Sequence, residues 1–447
     1  MSGRPRAHGV LGAGAERRVA HPPFLWSLAA IALVGLGVRL FYVFVGNASY
    51  VFGGDAVYYH YEAWTLADGK GFIDPFRWLF LHQVSQSAVH PPLYSMYLSL
   101  VSRLGFWSVT DHRVASTVLG AAVVVIVGLT GRRVGGVRVG LVAATFAAVY
   151  ANLWINDGML LSESMSALTI SLVLLSAYAL WERPDMTHAI WFGLALGAAI
   201  MSRAEVAILA PILIVTIVLC RHDVTARTRA QLAAVSGAMV VVCVGPWIGY
   251  NLSRFDKPVY MTDSVGAVLS AASCDATYYG SQAGWYGSCH VFGARPIRGD
   301  ASDVDAAVRK EAVDYIKTHK SRLPVVMLER VGRMWDVWKP RQNVRLNGLL
   351  EGRTIGASQI ALGSYYFLMP LAVAGVVVMR RRHIPISPIV APAVVVTVAA
   401  AMFFGAVRYR VSAEPAIVVA AAISVDVLWI SLVDRRKTLR PSARHVA

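Results

Sequence analysis

An aspartate stands directly after the first hydrophobic stretch of the chain, in the segment GGDAVYYHYEAW (53–64). A strongly apolar sequence then follows Asp55 for most of the remaining chain. A carboxylate at the mouth of a helical membrane bundle is costly to hold there, which makes it a functional candidate by default. The chemistry that it offers is proton transfer or charge pairing.

Two further acids and three arginines fall at the same predicted membrane face as Asp55. They are Asp157 and Glu163 in NDGMLLSE (156–163), Arg203 in SRAEVAILAP (202–211), and Arg408 and Arg410 in RYRVSAEP (408–415). Arginine is disfavoured at outer helix ends, so anionic partners must hold these side chains. Phosphate recognition is one explanation. The other explanation is local pairing, of Arg410 with Glu414 and of Arg203 with Glu205. Glu163 could equally be an acid in the first turn of a helix, where the helix dipole stabilises it.

The composition determines the class of protein that can hold these residues. Of 447 residues, 56% are hydrophobic and 15% are charged, more apolar than a soluble chain needs to fill its cores. The apolar stretches are about twenty residues long without alternation, which indicates membrane helices rather than barrel strands. The 42 basic residues outnumber the 26 acidic ones, but they cluster at the ends of apolar segments, so we expect no nucleic-acid partner.

Hydropathy predicts an all-α integral membrane protein with about ten spans. They lie at roughly 24–45, 113–131, 137–155, 162–181, 188–201, 204–220, 230–250, 356–379, 385–404 and 411–432. We expect one domain. Its segments are a basic tail (1–23), a first membrane module (24–250) with an external loop at 46–112, a large external loop (251–355), C-terminal membrane helices (356–433) and a second basic tail (434–447).

The charges of the connections predict the orientation. Five basic segments fall on one side together with the amino terminus: RRVGGVR (132–138), 181–183, 221–229, MRRRH (379–383) and DRRK (434–437). The positive-inside rule makes that side cytoplasmic. Both termini are therefore predicted inside, and Asp55 outside.

The two external loops are predicted to carry helices at the membrane surface. The segment HPPLYSMYLSLVSRL (90–104) is short for a crossing, so we expect an interfacial helix there, with a short span as the alternative. Apolar residues at helical spacing between Asp303 and Trp338 predict two more helices, the second beginning at Pro324. The residues on one face of the first of these helices are Val304, Val308, Ala312, Tyr315 and Ile316.

The cysteines indicate one disulfide. Cys274 and Cys289 are close in sequence within the predicted external loop, on the oxidising side, so we expect them to pair. A metal site is the weaker alternative, since no His or Cys pair with ligand spacing accompanies them. Cys220 and Cys243 lie in or near spans and are interpreted as packing residues.

The order of these features resembles the polyprenyl-phosphate-sugar-dependent glycosyltransferases of the GT-C fold, such as protein O-mannosyltransferases and lipid A aminoarabinose transferases. The resemblance covers roughly residues 25–425. It rests on GGDAVYYHYEAWTLADGKGF (53–72), AVHPPLYSMYL (88–98), NDGMLLSE (156–163), SRAEVAILAP (202–211), GPWIGYN (245–251) and RYRVSAEP (408–415).

The resemblance implies an enzyme that transfers a sugar from a lipid-linked phosphate to an acceptor hydroxyl outside the cytoplasm, usually with inversion. Asp55 matches the family's general base, although capping of a helix at Ala56–Ala67 would also suit it. Many relatives carry a second acid directly after the first, whereas Ala56 and Val57 follow here, so Glu163 and Asp157 become the alternatives. Arg408, Arg410 and, in second rank, Arg203 would bind the donor phosphate.

Other outward residues would line the substrate cavity: Tyr58, Tyr59, Glu62, His90 and Lys339. Some relatives bind a divalent ion near the donor phosphate. His60, His82 or His90 with Glu62 could ligate one, but the spacing is loose, and we expect no tightly bound cofactor or metal. Tyr and Trp residues in the loops also suit an interfacial belt among membrane lipids.

The expected partners are a polyprenyl-phosphate sugar and a glycan, lipid or protein acceptor, in a bacterial cytoplasmic membrane with the active site outside. A transporter or flippase is the alternative function, and would need polar residues at the midplane of several spans. Arg39 and Asp426 are the main charges predicted there. A non-catalytic scaffold is the third possibility and would not need Asp55 or the outer arginines.

Overall fold

The structure is a computed structural model that describes residues 22–287, 289, 299–403 and 405–438. Within these residues the chain is helical, and the one strand-like contact is an isolated antiparallel bridge between Ile73 and Gln86. The predicted all-α class is confirmed. Both predicted basic tails, 1–23 and 434–447, fall largely outside the described residues.

The first membrane helix leads into a loop with three helices, which is predicted to be external. Helix α1 (Pro22–Phe41) continues through a π-helical turn, and α2 (Asp55–Ala67), α3 (Pro75–Leu81) and α4 (Leu93–Arg103) follow. Asp74 starts α3, since its carboxylate accepts hydrogen bonds from two backbone N–H groups of the first turn. Helix α4 has 11 residues. That is about 17 Å, too short for a span, so the interfacial interpretation of 90–104 is favoured.

Seven helices form the first part of the bundle. They are α5 (Val109–Gly135), α6 (Val137–Val149), α7 (Ala151–Asp157), α8 (Glu163–Glu182), α9 (Met186–Ser202), α10 (Leu209–Leu213) and α11 (Ala226–Leu252). Helix α5 begins with a capping box, in which the side chains of Ser108 and Asp111 accept hydrogen bonds from each other's backbone N–H groups. The axis bends by 52° between α6 and α7, within the predicted span 137–155.

The large loop after α11, which is predicted to be external, carries five helices: α12 (Val265–Ser270), α13 (Asp275–Tyr278), α14 (Ala301–Thr318), α15 (Leu323–Met334) and α16 (Pro340–Glu351). Helices α14 and α15 confirm the two that were predicted, and Pro324 stands in the first turn of α15, where a missing N–H costs nothing. The predicted disulfide is present, with 5.8 Å between the Cα atoms of Cys274 and Cys289. Helix α16 was not predicted.

Three helices complete the bundle: α17 (Ile355–Arg381), α18 (Ser387–Met402) and α19 (Glu414–Thr438), the last after a 3-10 segment, Val407–Ala413. Among the described residues, six helices are long and apolar enough to cross a membrane, or seven if α6 and α7 count as one span. Three predicted spans correspond to shorter apolar helices, Met186–Ser202, Ala204–Leu219 and Ser387–Met402. The chain is a multi-pass membrane protein, and the count of ten remains a prediction.

The two ends of the bundle differ in character. Arg133 pairs with Glu182 at 2.9 Å, and Arg221 donates to the Trp181 carbonyl at 2.5 Å, so three of the predicted cytoplasmic connections meet at one end. Glu163 stands at the opposite end of α8, whose 20 residues extend about 30 Å. The candidate site lies at the Glu163 end.

Candidate active site

A cavity of about 610 Å³ opens at the Glu163 end of the bundle. Its lining brings together residues from five separate segments of the chain: Asp55, His90, Glu163, Arg203 with Glu205, and Arg408 with Tyr409. A second, apolar part of the wall is built by the large loop and α18, with Val265, Ala267, Val268, Ala271 and Phe403. The cavity therefore joins a charged centre to an apolar surface.

Asp55 is the first residue of α2 and follows Gly54, whose φ of 57° is a conformation that glycine adopts without strain. Its Oδ2 accepts a hydrogen bond from Nη2 of Arg408 at 2.7 Å, and its Oδ1 lies 3.8 Å from Nε2 of His90. Gly54 occupies the N-cap position of α2, with no side-chain cap bond. Asp55 therefore faces the cavity and does not cap the helix.

Arg408 is the centre of the charged cluster and is 8% exposed. Besides Asp55, its guanidinium contacts Glu351 at 3.1 Å, and its Nε lies 3.8 Å from Glu163. It also donates to the Tyr409 hydroxyl at 3.0 Å. The 3-10 segment before α19 brings Arg408 to this place, far in sequence from all three acids.

Arg203 forms the second cationic centre of the cavity. It donates to Glu163 at 3.0 Å and to Glu205 at 2.5 Å, and its guanidinium carbon lies 4.6 Å from the centroid of the Tyr409 ring. Glu163 thus lies between Arg203 and Arg408. The predicted pair of Arg203 with Glu205 is present, and Arg203 lines the cavity as well.

Electrostatics set the protonation of the site. Burial alone would raise the pKa of the Asp55 carboxyl, but the charge and the hydrogen bond of Arg408 outweigh burial and lower that pKa to about 2. Burial lowers the pKa of His90 despite the nearby Asp55 carboxylate, so the ring is neutral at neutral pH. Asp55 is therefore ionised and electrostatically bound to Arg408 in this state.

Two predicted site residues lie elsewhere. Asp157 pairs with Arg39 at 2.6 Å inside the bundle, in a space that Gly120 leaves open, since a Cβ there would overlap both side chains. Arg410 is fully buried against Glu414 at 2.7 Å and Asp336 at 3.2 Å. Neither Asp157 nor Arg410 is among the residues that line the cavity.

Some of the predicted cavity residues line the cavity and others do not. Tyr59 and His90 line the cavity, and their rings stack at 4.5 Å. The Tyr58 hydroxyl instead bonds to the buried Glu62 at 3.0 Å and to Ser87 at 2.7 Å. Lys339 donates to the Ser281 carbonyl at 3.0 Å. Tyr58, Glu62 and Lys339 therefore support the surrounding loops and do not contact the cavity.

Sequence reasoning missed Glu351, the buried partner of Arg408. It ends α16, and the next residue, Gly352, has the left-handed conformation (φ 69°) of a helix C-terminus. An acid in the last turn opposes the helix dipole, and that is the signal which could have identified it. Tyr409 and Tyr286, both in the lining, were also missed.

The residues at the cavity do not fit a divalent metal. Each carboxylate in the lining is held by an arginine: Asp55 by Arg408, and Glu163 and Glu205 by Arg203. Asp157, outside the lining, is held by Arg39. His60 faces His112, with 3.1 Å between Nδ1 atoms, rather than Glu62. In the described residues, one acidic group has ligand spacing, Asp256, Asp300 and Asp303, but Asp300 caps α14 and Asp303 pairs with Lys257 at 2.8 Å.

Comparison with known proteins identifies the architecture. Residues 89–250 match the family described as dolichyl-phosphate-mannose-protein mannosyltransferase. No curated relative matches the sequence. The oligosaccharyltransferase AglB from Archaeoglobus fulgidus, in complex with an inhibitory peptide and a dolichol-phosphate, superposes with a TM-score of 0.56 and 17% identity over 95% of this chain and 52% of that one.

The same archaeal enzyme tethered to an acceptor peptide containing the NVT sequon gives a TM-score of 0.54 and 16% identity, over 93% of this chain and 51% of that one. ArnT from Cupriavidus metallidurans bound to undecaprenyl phosphate gives a TM-score of 0.45 and 14% identity, over 91% of this chain and 78% of that one. This TM-score is too low to support an inference. This chain spans about half the length of the archaeal enzyme. The chain therefore has the GT-C fold of membrane glycosyltransferases, and its residues 89–250 match the protein mannosyltransferase family.

Proposed function

We propose that the protein is a membrane glycosyltransferase, which moves a hexose or pentose from a polyprenyl-phosphate donor to an acceptor hydroxyl. The observation that carries the proposal is the meeting of Asp55, Glu163, Arg203 and Arg408 in one cavity. A carboxylate beside two guanidinium groups combines a proton acceptor with a receptor for phosphate. The apolar wall built by the large loop and α18 suits a prenyl chain.

The relatives support a lipid-phosphate donor. The family matched over residues 89–250 is named for dolichyl-phosphate-mannose, and the archaeal enzyme that shares the fold was solved with dolichol-phosphate and a peptide. A glycan, a lipid or a protein could present the acceptor hydroxyl, since each provides the same nucleophile.

In the proposed reaction, the acceptor hydroxyl loses its proton to Asp55 as its oxygen bonds to the anomeric carbon of the sugar. The bond from that carbon to the phosphate oxygen breaks, and its electron pair leaves with the polyprenyl phosphate. Arg408 and Arg203 stabilise the negative charge that develops on the leaving oxygen. Attack from the side opposite the phosphate inverts the configuration.

The site is proposed to face the extracytoplasmic side of a bacterial cytoplasmic membrane, with both termini inside. Three of the five basic connections meet at the end of the bundle opposite the cavity, as the positive-inside rule expects. Single cysteines in a background without Cys220 and Cys243 test this orientation. An impermeant thiol reagent should label Gln83→Cys in intact cells and leave Arg183→Cys unlabelled, and the reverse pattern would invert the proposed orientation.

The transporter alternative finds no support in the described residues. Arg39 and Asp426, the charges predicted inside spans, are paired with Asp157 at 2.6 Å and with Arg138 at 3.0 Å. Incubating membranes that contain the protein with radiolabelled polyprenyl-phosphate sugars tests the reaction class and the donor together. Label should move to an acceptor from at least one donor, and a folded protein that transfers none would refute the proposal.

A further inference from the structure

The charges of the cavity are arranged in an unexpected way for a site that receives a phosphate. Its lining holds three carboxylates, on Asp55, Glu163 and Glu205, and two guanidinium groups, on Arg203 and Arg408. Glu351 adds a fourth carboxylate against Arg408, from outside the lining. The two Nη atoms of Arg408 already contact Asp55 and Glu351, and its Nε has no hydrogen-bond partner among the described residues, so a phosphate that binds Arg408 through Nε and one Nη has to displace a carboxylate.

The three acids around Arg408 differ in how easily they could leave it. The Asp55 side chain is 37% exposed, whereas those of Glu163 and Glu351 are 3% and 2% exposed. Separating a buried carboxylate from its cation leaves an unpaired charge in a medium of low dielectric, which is strongly unfavourable. Asp55 can turn into the open cavity and remain hydrated. It is therefore the exchangeable partner.

Glu351 has the opposite character. It contacts Arg408 at 3.1 Å, and Gly352 directly after it turns the chain out of α16 in the left-handed conformation that ends the helix. This contact holds the guanidinium in place when another partner leaves. A side chain already fixed in position loses less conformational freedom when it binds phosphate.

We propose that Glu351 is a positioning residue that keeps Arg408 at the cavity, and that the donor phosphate replaces Asp55 on Arg408 and so releases the carboxylate to act as base. This inference rests on the proposed function. It makes donor binding a precondition of proton abstraction, because Asp55 shares its lone pairs with a guanidinium until phosphate arrives. The pKa of the released carboxylate then rises from its value near 2, and Asp55 becomes a better base.

Binding of sugar-free undecaprenyl phosphate to the purified full-length protein tests the exchange. The variant Asp55→Asn removes the competitor and should bind this lipid about tenfold more tightly than the wild type, a difference of about 1.4 kcal/mol. The matched control Glu182→Gln removes a carboxylate from the other end of the bundle, where it pairs with Arg133, and should bind as the wild type does. Unchanged or weaker binding by Asp55→Asn would overturn the exchange.

A double-mutant cycle separates competition for Arg408 from general charge repulsion. In the Arg408→Ala background the gain from Asp55→Asn should fall below twofold. An equal gain in both backgrounds would mean that Asp55 only repels phosphate, and the exchange would be refuted. Melting temperatures of all variants identify any that fail to fold, and the cycle is then repeated with Arg408→Gln as the background or with Asp55→Ser as the partner variant.

Glu351→Gln tests the positioning role by the sign of its effect. Arg408 without its anchor is held more firmly by Asp55, so this variant should bind the lipid several-fold more weakly, although it too removes a negative charge. Tighter binding would show that Glu351 is only a repelling charge. Failure of the wild type to bind the lipid at all would reject the proposed function itself, whereas binding without the gain in Asp55→Asn rejects only the exchange.

Discussion

The Asp55 carboxylate accepts a hydrogen bond of 2.7 Å from Arg408, which lies 353 residues further along the chain. The two residues belong to the loop after the first membrane helix and to the 3-10 segment that precedes the last helix. Their contact brings the proposed base and the proposed phosphate receptor into one cavity. In the proposed exchange the two residues separate when the donor binds.

Replacing Asp55 by Asn should abolish sugar transfer and leave the protein folded in the membrane. General-base assistance contributes about 10²–10⁴ in rate, so the turnover number should fall by at least about a hundredfold. The matched control is Asp68→Asn at the end of the same helix, where the exposed carboxylate pairs with Lys70 at 3.0 Å. Transfer assays on membranes with equal amounts of each variant measure the effect, and full activity of Asp55→Asn would exclude the base role.

The two arginines of RYRVSAEP should behave differently when each is replaced by Ala. Arg408 lines the cavity, so Arg408→Ala should raise KM for the donor more than KM for the acceptor, in addition to the stability lost when the buried Glu351 loses its cation. Arg410→Ala leaves Glu414 and Asp336 unpaired in the interior, which should destabilise the protein by about 3–5 kcal/mol. Steady-state kinetics measures the change in KM, and thermal unfolding measures the loss of stability, so the two measurements distinguish the two variants. Equal losses for donor and acceptor in Arg408→Ala would argue against phosphate contact.

Glu62 should make stability depend on pH. Burial raises the pKa of its carboxyl to about 7, although hydrogen bonds from Ser95 and Tyr58 oppose the change. The folded protein then retains a proton that the unfolded chain releases near pH 4.5, so the protein loses stability as the pH rises from about 4.5 to about 7. Melting temperatures of the wild type and of Glu62→Gln should diverge over that range, with the variant less sensitive. Parallel curves would show that Glu62 does not titrate there.

Chelation should leave sugar transfer intact. The guanidinium of Arg408 lies among Asp55, Glu163 and Glu351, where a cation ligated by these acids would otherwise stand. Activity measured after extensive dialysis against EDTA should therefore equal that of the untreated protein. A loss that added Mg²⁺ or Mn²⁺ restores would contradict this expectation.

Local sequence features predicted much of the fold. Apolar length indicated the membrane helices, the helical spacing after Asp303 and the restart at Pro324 indicated α14 and α15, and two nearby cysteines indicated the disulfide. Each of these depends on neighbours in the chain, which is why one sequence suffices. The shorter helices in the predicted spans at 188–201 and 385–404 leave these two crossings as predictions.

The sequence by itself determined the membrane class, and it predicted the side on which the charged residues stand and the role of Asp55. Only the tertiary structure decided which charges meet: Arg408 with Asp55 and Glu351 in the cavity, and Arg410 and Asp157 with other partners in the interior. The physical reason is that hydropathy reports the depth of a residue in the bilayer. The partner of a side chain depends on how helices far apart in sequence rotate and pack against one another.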